Sequence, residues 1–181
     1  MDVNFIPSRT GIVSNLMFQG KHDAARAEAW KAYEAARNDG DRRGALFATA
    51  LTYADEGKFE QAVAELKKEY AVAEKINDAA AMSADATAMG DVLLEAGKPE
   101  EALKQYSHAL ELQERSDLSQ EVKENARLVH HYNLGRVAVR SKDLAGARQH
   151  ADAFMQGATG KKNAAQTRQA HELAGVIALR E

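Results

Sequence analysis

Residues 90–110, GDVLLEAGKPEEALKQYSHAL, contain two helical patterns joined by a glycine and a proline. On both sides of Gly97 the apolar residues recur every three or four positions, which is the spacing of one face of an α-helix. Gly97 suits the position just after a helix, because glycine accepts a left-handed backbone at little cost. Pro99 suits the first turn of the next helix, where its missing N–H has no partner to lose. The stretch therefore predicts a helical hairpin with a turn of two or three residues.

The same layout recurs along the chain. A single hairpin cannot bury both of its apolar faces, so further hairpins are expected to stack on it. The corresponding turn positions are Gly20, Gly57, Gly97 and Lys142, and they lie about 40 residues apart. The predicted hairpins span about residues 8–38, 41–76, 79–116 and 119–156, and a ninth, terminal helix spans 161–180. We expect one repeat domain over residues 1–181.

The composition agrees with a fold built of helices. The 181 residues include 36 alanines and only two prolines, and 45% of the residues are hydrophobic. Alanine has the highest helix propensity, and its small side chain lets helices approach closely. We therefore predict an all-α protein: a right-handed superhelical array of antiparallel helical hairpins, an α-solenoid of about nine helices.

The third hairpin resembles the tetratricopeptide repeat (TPR) family. The family motif has a small residue late in the first helix, a turn glycine, and then alanine, an aromatic residue and alanine in the second helix. Gly90, Gly97, Ala102, Tyr106 and Ala109 stand at these positions. The repeat spacing is similar to the longer, about 40-residue variety of adaptor and signalling-regulator proteins. The resemblance implies an α-solenoid that acts as a scaffold or protein-interaction module.

Stacked helical hairpins line a concave surface with their first helices, and such a surface suits a peptide or a partner helix. We expect Asn133 to bond a partner's backbone, and the nearby arginines to bind a carboxylate, away from the core of their own hairpin. The predicted surface consists of Phe47, Leu51, Asp55, Thr87, Asp91, Leu94, Glu95, Tyr132, Asn133, Arg136 and Arg140.

Two simpler interpretations of this surface stay open. In the first, Arg136 and Arg140 pair with Asp91 and Glu95 of the neighbouring helix and bind nothing else, as balanced charges on adjacent helices often do. In the second, Phe47 and its neighbour one turn later are buried against the first helix of the chain.

Catalytic and metal-binding patterns are absent from the sequence. There is no glycine-rich phosphate loop, no GxSxG elbow and no HExxH pair. His130 and His131 are adjacent, so they point to different sides of a helix and do not form a metal pair. We expect a protein that is not an enzyme, with no catalytic residues, no metal and no cofactor.

Charge and hydropathy exclude other classes of partner. The formal net charge is −3, and the basic clusters at Arg42-Arg43 and Lys161-Lys162 are short and look like solvated helix starts, so nucleic acid is not an expected partner. No run of 18 apolar residues occurs, so we expect a soluble, cytoplasmic protein that does not bind a membrane.

Three functions remain. The first is a protein- or peptide-binding adaptor, and the second is a regulatory or ligand-sensing domain of a larger signalling or transcription regulator. The third is a structural self-assembly unit, a homodimer formed through Val176 or Ile177 of the terminal helix. The identity of a partner is not encoded in any of these patterns.

Overall fold

The computed structural model describes residues 6–180, with side chains from residue 10, and within this range it consists of α-helices without a strand. The prediction of an all-α fold of about nine helices is confirmed for the described residues. Residues 1–5 and 181 of the predicted domain lie outside them. The helices are α1 (Ile6–Phe18), α2 (His22–Glu34), α3 (Asp39–Asp55), α4 (Phe59–Lys75), α5 (Ala79–Glu95), α6 (Pro99–Arg115), α7 (Gln120–Arg140), α8 (Leu144–Gly160) and α9 (Ala164–Ala178).

The chain divides into two compact units, Met1–Val92 and Leu93–Glu181, called unit 1 and unit 2 below. Unit 1 contains α1 to α4 and most of α5. Unit 2 contains the last residues of α5 and all of α6 to α9. The single domain over residues 1–181 stays a prediction.

Small side chains build the core of unit 1. Val13 of α1 packs with Ala25 and Ala29 of α2 and with Ala48 of α3, and all four are buried. Three of the four residues are alanines, and their small side chains let the helices approach closely. Burial of Val13 in this cluster shows that α1 packs on α2 and α3 as the predicted first hairpin requires.

The core of unit 2 is built from larger side chains. Phe154 of α8 is fully buried and packs with Leu128 of α7 and Ala170 of α9. A second cluster joins the same three helices and includes Ile177, which is 2% exposed. Of the two residues predicted to carry self-association, Val176 alone is at the surface, with 43% of its area exposed. Ile177 holds the terminal helix against α7 and α8 instead.

The turns of the hairpins close in the way that the glycines predict. Gly97 has φ +74°, and its N–H bonds to the carbonyl of Leu94 at 3.1 Å while the N–H of Lys98 bonds to Leu93 at 2.9 Å. Lys142 adopts the same left-handed conformation, with φ +63°. The last hairpin therefore keeps the turn geometry although it lacks the glycine.

Replacing Lys142 by glycine is expected to raise the free energy of unfolding by about 1 kcal/mol, because a left-handed residue with a Cβ is strained. The measurement is urea denaturation of Lys142→Gly beside wild type. Lys98→Gly is the matched control, because Lys98 has φ −112° and gains nothing from glycine. Equal or lower stability of Lys142→Gly would contradict the account of this turn.

Candidate functional site

The exposed apolar pair on α3 is the clearest feature of the predicted surface. Phe47 and Leu51 are one helical turn apart, and they are 39% and 43% exposed. The neighbouring positions Ala45, Leu46 and Ala48 are buried, so α3 turns its small residues inward and this pair outward. The interpretation in which the pair is buried against the first helix is therefore wrong. Adjacent exposed apolar side chains are typical of interaction surfaces.

The polar members of the surface in unit 1 already have local partners. Asp55 lies 2.9 Å from the ring Nε2 of His22, which belongs to α2. The hydroxyl of Thr87 donates to the carbonyl of Ser83 at 2.9 Å, one turn earlier on α5. Asp91 is partly buried on the same helix. These contacts leave Phe47 and its apolar neighbour as the part of the surface with the most free contact area.

The predicted orientation of the side chains of Tyr132 and Asn133 on α7 is wrong. Asn133 is 5% exposed, and the ring of Tyr132 packs on Phe154 of the same hairpin with 5.1 Å between ring centroids. Both side chains were expected to point away from the hairpin core. They do not, because α6, α8 and α9 all pack on α7 and cover three of its sides. Leu94 of the predicted surface is also buried, at 2% exposure.

The two arginines of α7 have different environments. Nη2 of Arg140 lies 3.5 Å from Oε2 of Glu95, and both side chains are largely exposed, so the simpler interpretation of a pair between neighbouring helices is confirmed for these residues. Such an exposed pair contributes little to stability. Nη1 of Arg136 lies 3.4 Å from the hydroxyl of Tyr106, and its guanidinium sits 5.5 Å from the ring centroid of Tyr132. Arg136 is thus held by aromatic residues of its own unit.

A buried ionic cluster in unit 1 was missed by the sequence analysis. Nη2 of Arg43 lies 2.6 Å from Oδ1 of Asp85 and 3.3 Å from Oε1 of Glu69, which joins α3, α5 and α4. Glu69 and Asp85 are 5% and 2% exposed. Arg43 was predicted to be part of a solvated helix start, and this is wrong. The three residues are far apart in sequence, so no local pattern indicates the cluster.

The cluster holds two carboxyl groups against one cation, and this shifts their protonation. Burial, together with the charge of Asp85, raises the pKa of Glu69 to about 8. Burial also raises the pKa of Asp85, although Arg43 acts in the opposite direction. Near neutral pH, Glu69 is therefore largely protonated, which relieves the repulsion between the two buried carboxyl groups beside Arg43. Arg43 joins the three helices through its contacts with Asp85 and Glu69.

Two histidines of unit 2, on α7 and α8, are in contact. Nδ1 of His131 on α7 lies 3.1 Å from Nδ1 of His150 on α8. Burial lowers the pKa of His150, and it lowers the pKa of the neighbouring His130 as well. Among the described residues no group of three metal-ligating side chains converges. The pair is a contact between α7 and α8.

None of the helices within residues 6–180 is both long enough and apolar enough to cross a membrane.

The fold places this chain among the helical repeat proteins, and comparison with known proteins gives the family. The model of the tetratricopeptide repeat family matches residues 44–115. The matched residues 44–115 include α4, α5 and α6, and the resemblance of the third hairpin to this family is confirmed. No curated protein matches the chain.

Solved structures share the fold at low identity. Aspartyl phosphate phosphatase F from Bacillus subtilis is 12% identical with a TM-score of 0.74, and the match covers 95% of this chain and 45% of that one. The apo form of RapI is 13% identical with a TM-score of 0.67, over 99% of this chain and 71% of that one. A Podosopora anserina putative kinesin light chain with nearly identical TPR-like repeats is 13% identical with a TM-score of 0.59, over 99% and 97%.

These likenesses show the fold and not a shared activity. The chain spans 45% of the length of the aspartyl phosphate phosphatase. A TPR-like helical repeat is typical of protein-interaction modules, whereas this one similar protein is named as a phosphatase. The fold thus supports a role in protein interaction.

Proposed function

We propose that this chain is a non-catalytic protein- or peptide-binding module that works as a scaffold. Its binding surface in unit 1 is the first-helix face, defined here as Phe47, Leu51 and Asp55 of α3 with Thr87 and Asp91 of α5. The observation that carries the proposal is the apolar pair Phe47 and Leu51 of α3, which is 39% and 43% exposed beside buried neighbours on the same helix. Glu95, Arg136 and Arg140 form a separate polar surface in unit 2.

The chemistry of the first-helix face indicates what a partner brings to it. Phe47 and Leu51 offer apolar contact area, and an apolar side chain of the partner gains free energy by covering them. Asp55 at the end of the same helix is half exposed and offers a carboxylate to a basic or N–H group of the partner. A peptide with apolar side chains followed by a basic residue fits this order.

The test is a pull-down from the source organism's lysate with light scattering on each protein. The variant is Phe47→Ser with Leu51→Ser, and the matched control is Ile76→Ser, an exposed apolar residue at the end of α4 with 49% of its area exposed. The proposal is supported if a partner protein binds wild type and the control but not the double variant. A partner that binds the double variant as well as wild type contradicts it. The side chains of Phe47 and Leu51 are both more than half covered, so the double variant is expected to lose some stability, and melting curves check that it is folded at the temperature of the pull-down.

A regulatory domain of a larger protein is the second candidate. One observation favours it. The match to the aspartyl phosphate phosphatase covers 95% of this chain but only 45% of that protein, so a similar fold occurs there within a longer chain. An immunoblot of the lysate separates the two candidates. A band near the 19.7 kDa of this chain supports a free adaptor, whereas a much heavier band supports the regulatory domain.

Self-assembly through α9 is the third candidate, and the same light scattering tests it. Val176 and Leu179 are the exposed apolar residues at the end of this helix, at 43% and 88%. A dimeric mass that a Val176→Ser variant reduces to a monomer would favour assembly over the adaptor.

A further inference from the structure

Unit 1 contains a groove on the opposite side of α3 from the first-helix face. Its volume is about 500 Å³, within the range of about 300–1,000 Å³ that is common for ligand sites. Residues of α2 and α4 form its walls, and residues of α3 form its floor. Thr49 of the floor follows Phe47 by two residues, which turns it about 200° around the helix. The groove is therefore a different surface from the proposed binding face.

Aromatic rings form one side of this groove. Trp30 and Tyr33 of α2 stack with 5.3 Å between ring centroids and an angle of 14° between planes. Trp30 is the single tryptophan of the chain, and it is 58% exposed. The ring of Tyr53 on α3 lies 4.5 Å below the guanidinium of Arg26. A stacked pair with this exposure presents a flat apolar face to solvent.

The charges that line the groove are already neutralised. Nη1 of Arg26 donates to Glu56 at 2.7 Å. Nζ of Lys68 on the opposite wall donates to Glu65 at 2.7 Å. Because each cation has its own acid, the lining has little net attraction for a charged ligand. An uncharged ligand is the better match.

Two tyrosine hydroxyls are the polar groups of the groove that are open to a ligand. Within residues 10–180 the hydroxyls of Tyr33 and Tyr53 are not bonded to another protein group, and each can donate to a carbonyl oxygen. The other donors are already used, because the indole N–H of Trp30 donates to Glu34 at 3.0 Å and the hydroxyl of Thr49 donates to the carbonyl of Ala45 at 2.9 Å. The groove thus offers flat aromatic faces together with two hydroxyls that can bind carbonyl oxygens.

We propose that this aromatic groove binds a proline-rich peptide segment in the polyproline II conformation. Proline brings a carbonyl acceptor without an N–H donor, and its ring packs on flat aromatic faces. The polyproline II helix is already extended before binding, so little conformational entropy is lost. Residues 1–181 contain only two prolines, at positions 7 and 99, so these residues do not themselves supply such a segment. The site and its ligand are both distinct from those of the proposed function.

The single tryptophan makes the test direct, because any change in intrinsic tryptophan emission comes from Trp30. The full chain is titrated with blocked decaproline and, in parallel, with a blocked glycine-serine peptide of equal length, which has the same backbone carbonyls but no rings. A saturable change in emission with decaproline alone is expected. Tyr33→Ala is expected to weaken binding about tenfold or more, which corresponds to about 1.4 kcal/mol of lost contact.

Two further variants separate this proposal from loss of fold and from the first-helix face. Tyr53→Phe keeps the ring beneath Arg26 and removes only the hydroxyl, and weaker decaproline binding with an unchanged melting curve is expected. Phe47→Ser with Leu51→Ser is expected to bind decaproline as wild type does. Equal responses to the two peptides, or no response to decaproline, would overturn the proposal. If the emission changes with protein concentration in the absence of peptide, the groove binds a second copy of the chain and the proposal is overturned.

Discussion

Replacing Arg43 by leucine is expected to lower the free energy of unfolding by about 3–5 kcal/mol at a pH of about 9, because it leaves two buried carboxyl groups without their cation. The loss is expected to be smaller near pH 5, where Glu69 carries a proton in the folded protein and at most one buried carboxylate lacks its cation. Arg42→Leu is the matched control, since Arg42 is 42% exposed and pairs with Asp39 at the surface. Urea denaturation of the three proteins at both pH values gives the comparison. A loss that is the same for Arg43→Leu and Arg42→Leu would contradict the role of the cluster.

The same cluster gives wild type a pH dependence with a defined sign. The pKa of Glu69 is about 8 in the folded protein, above its ordinary value of 4.5 in the unfolded chain. Between these values the folded state holds more protons, so stability is present at low pH and is lost as the pH rises through this window. One linked proton corresponds to about 1.4 kcal/mol per pH unit. Glu69→Gln is expected to reduce this slope, because glutamine does not ionise, while the raised pKa of Asp85 leaves part of it. An identical slope in the variant would assign the pH dependence to other groups.

Phe154→Ala is expected to destabilise unit 2 by about 3–5 kcal/mol, because it removes a fully buried ring between α7, α8 and α9. The cost combines lost apolar burial with the cavity that remains beside Leu128 and Tyr132. Phe18→Ala is the matched control, because Phe18 is 81% exposed at the end of α1.

Scanning calorimetry is the suitable measurement for this pair of variants, since the two units can unfold in separate transitions. Phe154→Ala is expected to lower the transition of unit 2, and Phe18→Ala is expected to leave the melting profile within about 0.5 kcal/mol of wild type. Equal effects of the two substitutions would show that the ring of Phe154 is not a main packing element of this core.

The helices and turns could be predicted because their signals are local. Gly97 and Pro99 mark one turn by backbone geometry alone. Lys142 carries no such signal, and its turn was found because the repeat places one there. The register of the repeat places Phe47 and Leu51 on the first-helix surface but leaves open their burial against α1, because their exposure depends on how α1 packs.

The parts that could not be predicted depend on contacts between distant segments. Tyr132 and Asn133 lie on a helix with three neighbours, and a helical wheel of α7 does not indicate how many of its sides are covered. Arg43 meets Glu69 and Asp85 across 26 and 42 residues of sequence. No spacing rule connects residues at such separations, because their meeting depends on how three helices pack.

Site-specific photo-crosslinking tests the central claim, binding through the first-helix face, most directly. A photoreactive amino acid is placed at Phe47 and, as the control, at Ile76, which is also exposed and apolar in unit 1. After irradiation in the source organism's lysate, we predict a discrete protein or peptide adduct from position 47 that is absent from position 76. Identical adduct patterns from the two positions, or no adduct from position 47, would contradict the account.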